Sequence, residues 1–129
     1  MGLTAAAGMR ALLFAAFAGV AVLAGGGCGG GAAPPPDCPN DLPPSCPDPA
    51  PTFSADAEPA IAAKCTGCHS PTGVESNRPF TNYGQIFGQR GSILNQVHAC
   101  RMPPVDAPPL TAGERAALLG WLVCGAPND

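Results

Sequence analysis

The stretch "KCTGCHSP" at positions 64–71 sets Cys65 and Cys68 two residues apart, with His69 directly behind them. Three chemistries use such a group. Two thiols can cycle between dithiol and disulfide. Thiolates and an imidazole can supply part of a tetrahedral zinc shell. Two sulfurs followed by a histidine can bind a haem through its vinyl groups while the imidazole reaches the iron. The rest of the chain weighs among these. A dithiol oxidoreductase places its pair at a helix start following a strand, and no βαβ pattern is present. Zinc would have to recruit His98 and Cys100, whose spacing is atypical, and would leave His69 and Met102 without a purpose. Covalent haem uses both: His69 for the proximal bond and Met102 as a soft thioether for the sixth position, where it favours ferrous iron. Met102 is the one methionine beyond residue 27, and it stands in "CRMPP" between Arg101 and the stiff pair Pro103 and Pro104. His98, one turn earlier, is the rival ligand.

These residues need elements to hold them. From Phe53 onward the pattern is helical. Asp56 is the expected N-cap of a first helix, with Pro59 in its first turn, where a missing N–H costs little. Ile61, Cys65 and Cys68 follow at spacings of four and three, which puts both thiols on one helical face. After the loop "SPTGVESNRP", Tyr83, Ile86, Phe87, Arg90, Leu94 and Val97 recur at helical spacing, and Gly88 and Gly91 divide that stretch into two short helices. The clearest helix lies in "LTAGERAALLGWLVCG". It opens with a capping box from Thr111 to Glu114, carries Leu118, Leu119, Leu122 and Val123 as an apolar stripe, and stops at Gly125. With no alternating strand pattern, phosphate loop or repeat, the expected class is all-α.

Composition limits what else the chain can be. Residues 1–27 read as an export signal, with Arg10 followed by the apolar run "ALLFAAFAGVAVLAG", which is shorter than the roughly 20 residues of a membrane span. "LAGGGC" resembles a lipoprotein processing box with an imperfect upstream leucine, which makes Cys28 the expected lipid anchor; plain cleavage after Ala24 is the alternative. Residues 28–52 form a Gly/Pro-rich linker with nine prolines, expected to be an extended stalk. Residues 53–129 are the expected folded domain. Of seven cysteines, one for lipid and two for a cofactor leave Cys38, Cys46, Cys100 and Cys124, which can form two disulfides in an oxidising compartment. Three connectivities are open. The expected one is Cys38 with Cys46 and Cys100 with Cys124. Without Arg10 the chain has five basic residues against nine acidic ones, and this argues against nucleic acid as a partner.

A domain of about 75 residues with few large apolar side chains buries too little surface to be robust, and a flat macrocycle among its helices would fill the centre. "CTGCH", the later "MPP" and a last helix containing Trp121 resemble a small mono-haem c-type cytochrome of the class I fold over roughly residues 53–126. The resemblance implies one covalent haem c, thioethers at Cys65 and Cys68, and His69 and Met102 as axial ligands. It also implies a close crossing of the first and last helices through Ala57, Ile61 and Trp121, with Trp121 near the macrocycle edge. The expected activity is electron transfer rather than enzymatic turnover. The carrier would be monomeric, anchored on the periplasmic side of a bacterial membrane (the outer one favoured), and would meet redox proteins of the envelope. The alternatives are a haem enzyme subunit or a gas or redox sensor with a labile sixth position, and a structural zinc module.

Overall fold

The computed structural model describes residues 37–129, so the expected export signal and the expected lipid anchor Cys28 lie outside the described residues. Among the described residues every regular element is helical, in line with an all-α class, and none is long and apolar enough to cross a membrane. The first helix opens as a π-helical turn, Phe53–Ala57, and continues as α1, Glu58–Lys64. Its N-cap is Thr52, one turn before the expected Asp56. The Thr52 hydroxyl accepts from the Ala55 N–H at 3.2 Å, and the Asp56 carboxylate accepts from the Thr52 N–H at 2.8 Å. Asp56 therefore serves as the reciprocal partner of the cap rather than as the cap itself. Pro59 falls in the first turn of α1, at its junction with the π-turn. The helix ends at Lys64, so the expected helical face stops at Cys65, whose N–H still reaches the Ile61 carbonyl at 2.8 Å.

α2, Tyr83–Gly88, is capped by Asn82, and α3 spans Arg90–His98, so the division near Gly88 holds. α4, Ala112–Val123, carries both hydrogen bonds of the capping box between Thr111 and Glu114. Leu118, Leu119 and Trp121 on α4 are fully buried and form the centre of the core with Phe53, Ala57 and Ile61. α4 packs against the π-turn and against α3. Ala57 is fully buried, and Phe53 meets Trp121 at 5.5 Å and Tyr83 edge-on at 5.1 Å. The chain's end closes this layer. Trp121 Nε1–H donates to the Pro127 carbonyl, Tyr83 O–H to the Ala126 carbonyl, and the Phe53 N–H to the Asp129 carboxylate.

Residues 37–52 are not a free stalk. They form a strap across the ends of α3 and α4, fastened by Cys38–Cys100 and Cys46–Cys124. Both expected pairings are thereby corrected. The two strap cysteines reach the ends of different helices instead of each other. Pro47 and Pro51 press on Gly120, where an added Cβ would lie 3.2 and 3.1 Å from their ring carbons. Between the two disulfides, Asp41 receives a two-pronged ion pair from Arg115 of α4.

Candidate functional site

Cys65, Cys68, His69 and Met102 line one cavity of about 270 Å³. Its apolar wall includes Phe80, Ile93, Val97, Pro103 and Pro104, and its polar wall includes Lys64, Gln89, Ser92, Gln96 and Arg101. All four residues singled out by type and spacing thus converge on the same space, from two segments that are remote in sequence.

His69 is held on all sides. Its N–H donates to the Cys65 carbonyl at 2.9 Å, and its own carbonyl accepts from the Phe80 N–H at 2.8 Å. The ring is buried and stacks on Phe80 at 4.2 Å with planes 10° apart. Nδ1 lies 2.9 Å from the Arg78 carbonyl oxygen. A carbonyl can only accept, so Nδ1 carries a proton, and in the neutral ring Nε2 keeps its lone pair. A second-sphere bond of this kind fixes the tautomer and orientation of an imidazole that ligates metal through its other nitrogen. The loop that supplies it folds back tightly. Glu75 N–H donates to the Cys68 carbonyl, Arg78 pairs with Glu75 at 2.7 Å, and an added Cβ at Gly73 would collide with the Cys68 carbonyl. Gly73 is a requirement of this close approach that the sequence pattern did not reveal.

Met102 is set by the end of α3. Cys100, at φ 51°, takes the left-handed conformation just past that end. Its N–H reaches the Val97 carbonyl at 2.9 Å, and the N–H groups of Arg101 and Met102 both reach the Gln96 carbonyl at 2.9 and 3.2 Å. This is a Schellman stop. Behind it lies Arg115, which is buried. Its guanidinium donates to the Val97, His98 and Pro39 carbonyls as well as to Asp41. Arg115 and Asp41 were not recognised from sequence, although one signal existed: Arg115 stands three and four residues before Leu118 and Leu119, on the stripe that becomes core.

The thiol chemistry discriminates among the opening alternatives. Burial pushes the Cys65 thiol up to about 11, so it is protonated at neutral pH. An attacking cysteine of a dithiol oxidoreductase has its thiol shifted the other way. Cys68 is itself disulfide-bonded. The zinc reading loses a ligand, because the Cys100 sulfur is bonded to Cys38. Among the described residues no group of three or more His, Cys, Asp or Glu side chains is arranged to hold a metal ion. His98 does not line the cavity, so it is not placed as a rival ligand; its carbonyl serves Arg115. Trp121 is also absent from the cavity wall. It is committed to Phe53 and Pro127, not to the edge of a ligand at this site. Arg101 does line the cavity. Among the described residues, Val74 and Val105, 70% and 89% exposed, are the large apolar side chains most open to solvent, and each follows or precedes a cavity-lining segment.

No family model, curated protein or solved structure matches this chain.

Proposed function

We propose that this chain is an exported electron carrier of the small c-type cytochrome kind, holding one haem in the cavity between the motif and the Met102 loop. The observation that carries the reading is the hydrogen bond from His69 Nδ1 to the Arg78 carbonyl, which prepares Nε2 as a ligand inside a cavity that also contains Cys65, Cys68 and Met102. The donor set fits the group: two sulfurs for covalent attachment, one imidazole and one thioether. When bound, haem supplies a one-electron couple. His69 and Met102 would ligate its iron, and Phe80, Ile93 and Val97 would supply an apolar wall beside it. Cys65 and Cys68 would each add S–H across a vinyl group, with no net change in electrons. Cys68 must first be released from its disulfide by exchange with a thiol reductant. The cavity lies near the lower limit of ordinary ligand pockets, about 300 Å³, so a flat macrocycle would keep an edge in solvent for electron exchange. The exposed Val74 and Val105 supply apolar contact near that cavity for transient redox partners.

The placement is exported, as two long-range disulfides favour, and lipid attachment at Cys28 would add a membrane tether. A second reading, a gas or redox sensor with a labile sixth position, is favoured by the polar groups Gln89, Ser92 and Gln96 in the cavity wall, which can hydrogen-bond a small ligand. Mass spectrometry of the chain matured in a host with haem-attachment machinery tests the common premise. One haem retained after denaturation is expected, and an unmodified mass at Cys65 and Cys68 sinks it. Rapid carbon monoxide uptake by the reduced protein would favour the sensor over the carrier.

A further inference from the structure

We infer that the Cys38–Cys100 bond and the Asp41–Arg115 pair are positioning groups for Met102, holding its loop at the cavity so that the sixth ligand resists exchange. The inference rests on the haem reading and adds to it the part of the fold that governs the lability of Met102. Four observations carry it.

First, the strap contacts the Met102 loop covalently. Cys100 stands two residues before Met102, and its sulfur is bonded to Cys38. Second, the backbone between them is strained. Cys100 adopts φ 51°, a conformation that disfavours any residue with a Cβ. Something other than local preference must hold it there.

Third, a buried cation supplies that hold. Arg115 spends its guanidinium donors on the Val97 and His98 carbonyls at the end of α3, on the Pro39 carbonyl beside Cys38, and on Asp41 at 2.8 Å through both Nε and Nη2. A cation at a helix C-terminus is favoured by the carbonyl dipoles, and the planar fork fixes three chain segments at once. Fourth, the held segment is the cavity wall itself. Gln96 and Val97 line the cavity, and the Gln96 carbonyl accepts from the Met102 N–H at 3.2 Å. The other disulfide, Cys46–Cys124, is fastened to the end of α4, and neither of its cysteines stands near Met102 in sequence. The two disulfides therefore differ in consequence: one sits beside the ligand loop and the other does not.

The test uses the full-length, haem-loaded protein and added imidazole as the competing ligand for ferric iron. Met102→Ala sets the affinity of a site with no sixth ligand to displace. Cys38→Ser/Cys100→Ser is expected to bind imidazole at least ten-fold more tightly than the native protein, and Asp41→Asn and Arg115→Lys several-fold more tightly, all at a temperature where circular dichroism shows each variant folded. Cys46→Ser/Cys124→Ser, which removes a tether remote from the loop, is expected to match the native affinity despite lower thermal stability. Should the first pair fail to fold, Asp41→Asn and thiol-reductant treatment of the loaded protein, native and Cys46→Ser/Cys124→Ser, ask the same question, because thioethers survive reduction and in the second chain the Cys38–Cys100 bond is the strap bond left to open. Native-like imidazole binding in folded Asp41→Asn and in the reduced protein overturns the inference, as does an equal increase in both disulfide variants. A native protein that carries haem but binds imidazole as readily as Met102→Ala also overturns it. A chain that carries no haem at all fails at the earlier step, which mass spectrometry registers separately.

Discussion

α3 and α4 stop with the same hydrogen-bond geometry but different residues. At the end of α4, Gly125 takes φ 89°, its N–H reaches the Leu122 carbonyl, and the Ala126 N–H reaches the Trp121 carbonyl. At the end of α3, Cys100, Arg101, Val97 and Gln96 repeat that arrangement, but the left-handed position holds a cysteine. Glycine adopts that conformation without steric penalty, whereas a side chain costs roughly 1–2 kcal/mol. The first stop has glycine at that position, although Ala126 just after it takes φ 58° and Cys124 just before it is bonded to Cys46. The second is imposed from outside, by the bond to Cys38 and the guanidinium of Arg115. Where the chain goes next differs as well. Past Gly125 it turns into the core through Ala126, and past Cys100 it enters the cavity at Arg101 and Met102. Both ends are clamped by a disulfide, but the end with a cysteine at the first left-handed position is the one that leads to the candidate site.

The contrast can be broken most strongly at the disulfides. They enclose sequence separations of 62 and 78, and removing either is expected to cost about 4 kcal/mol by the chain-entropy model. Guanidinium unfolding of Cys38→Ser/Cys100→Ser and Cys46→Ser/Cys124→Ser checks this, and near-native stability in either would remove that bond from the fold's support. Next is the cation. Arg115→Ala leaves the Val97 and His98 carbonyls and Asp41 without their shared donor and is expected to cost about 3 kcal/mol. Asp41→Asn should cost less, because Asp41 is exposed. The Arg115 hydrogen bond holds the Asp41 carboxyl below its ordinary value. Its contribution is therefore present above the ordinary carboxylate range and is lost as pH falls through the depressed value. An acid titration of stability in the native and Asp41→Asn chains resolves that difference.

A third effect bears on the motif. The folded Cys65 thiol keeps its proton to about 11, above the ordinary value near 9. In the haem-free chain, stability is full below that ordinary value and declines by roughly 2–3 kcal/mol as pH rises between the two. A thioether at Cys65 abolishes the decline, so alkaline melts of haem-free and haem-loaded protein should diverge; parallel curves would count against attachment there. The smallest effect sharpens the opening comparison directly. Gly125→Ala is expected to cost about 1 kcal/mol. Cys38→Ser/Cys100→Gly is expected to be about 1 kcal/mol more stable than Cys38→Ser/Cys100→Ser, since glycine relieves the strain once the disulfide is gone. Equal stability in the second pair would mean that Cys100 is not strained.

Much of the scaffold was legible before any coordinates. The Thr111–Glu114 capping box, the stop at Gly125, the helical spacing of residues 83–97 and the break near Gly88 each depend on neighbours within four or five positions, and each is observed. The first N-cap was misplaced because Thr52 and Asp56 share the duty across a wider π-turn, one residue longer than an ordinary capping box. The disulfide partners and the strap were misread for a related reason. Proline content announces an extended chain, but whether that chain leaves the bundle or lies on it depends on Gly120, Arg115, Cys100 and Cys124, residues that carry no mark of it in their own neighbourhoods.

Residue types and spacings alone establish the helical class, the capped ends of the clearest helix, and a Cys-x-x-Cys-His group whose chemistry is written a few positions apart. Only the tertiary structure decided that Met102 shares a cavity with that group, that Arg78 offers the carbonyl which orients His69, and that the proline-rich strap is bolted to two helix ends. Local hydrogen bonding and side-chain periodicity act over a single turn and leave a trace in adjacent letters. Contacts closed over nine to seventy-eight residues are selected by the packing of the whole chain, and no single helical turn contains the information that fixes them.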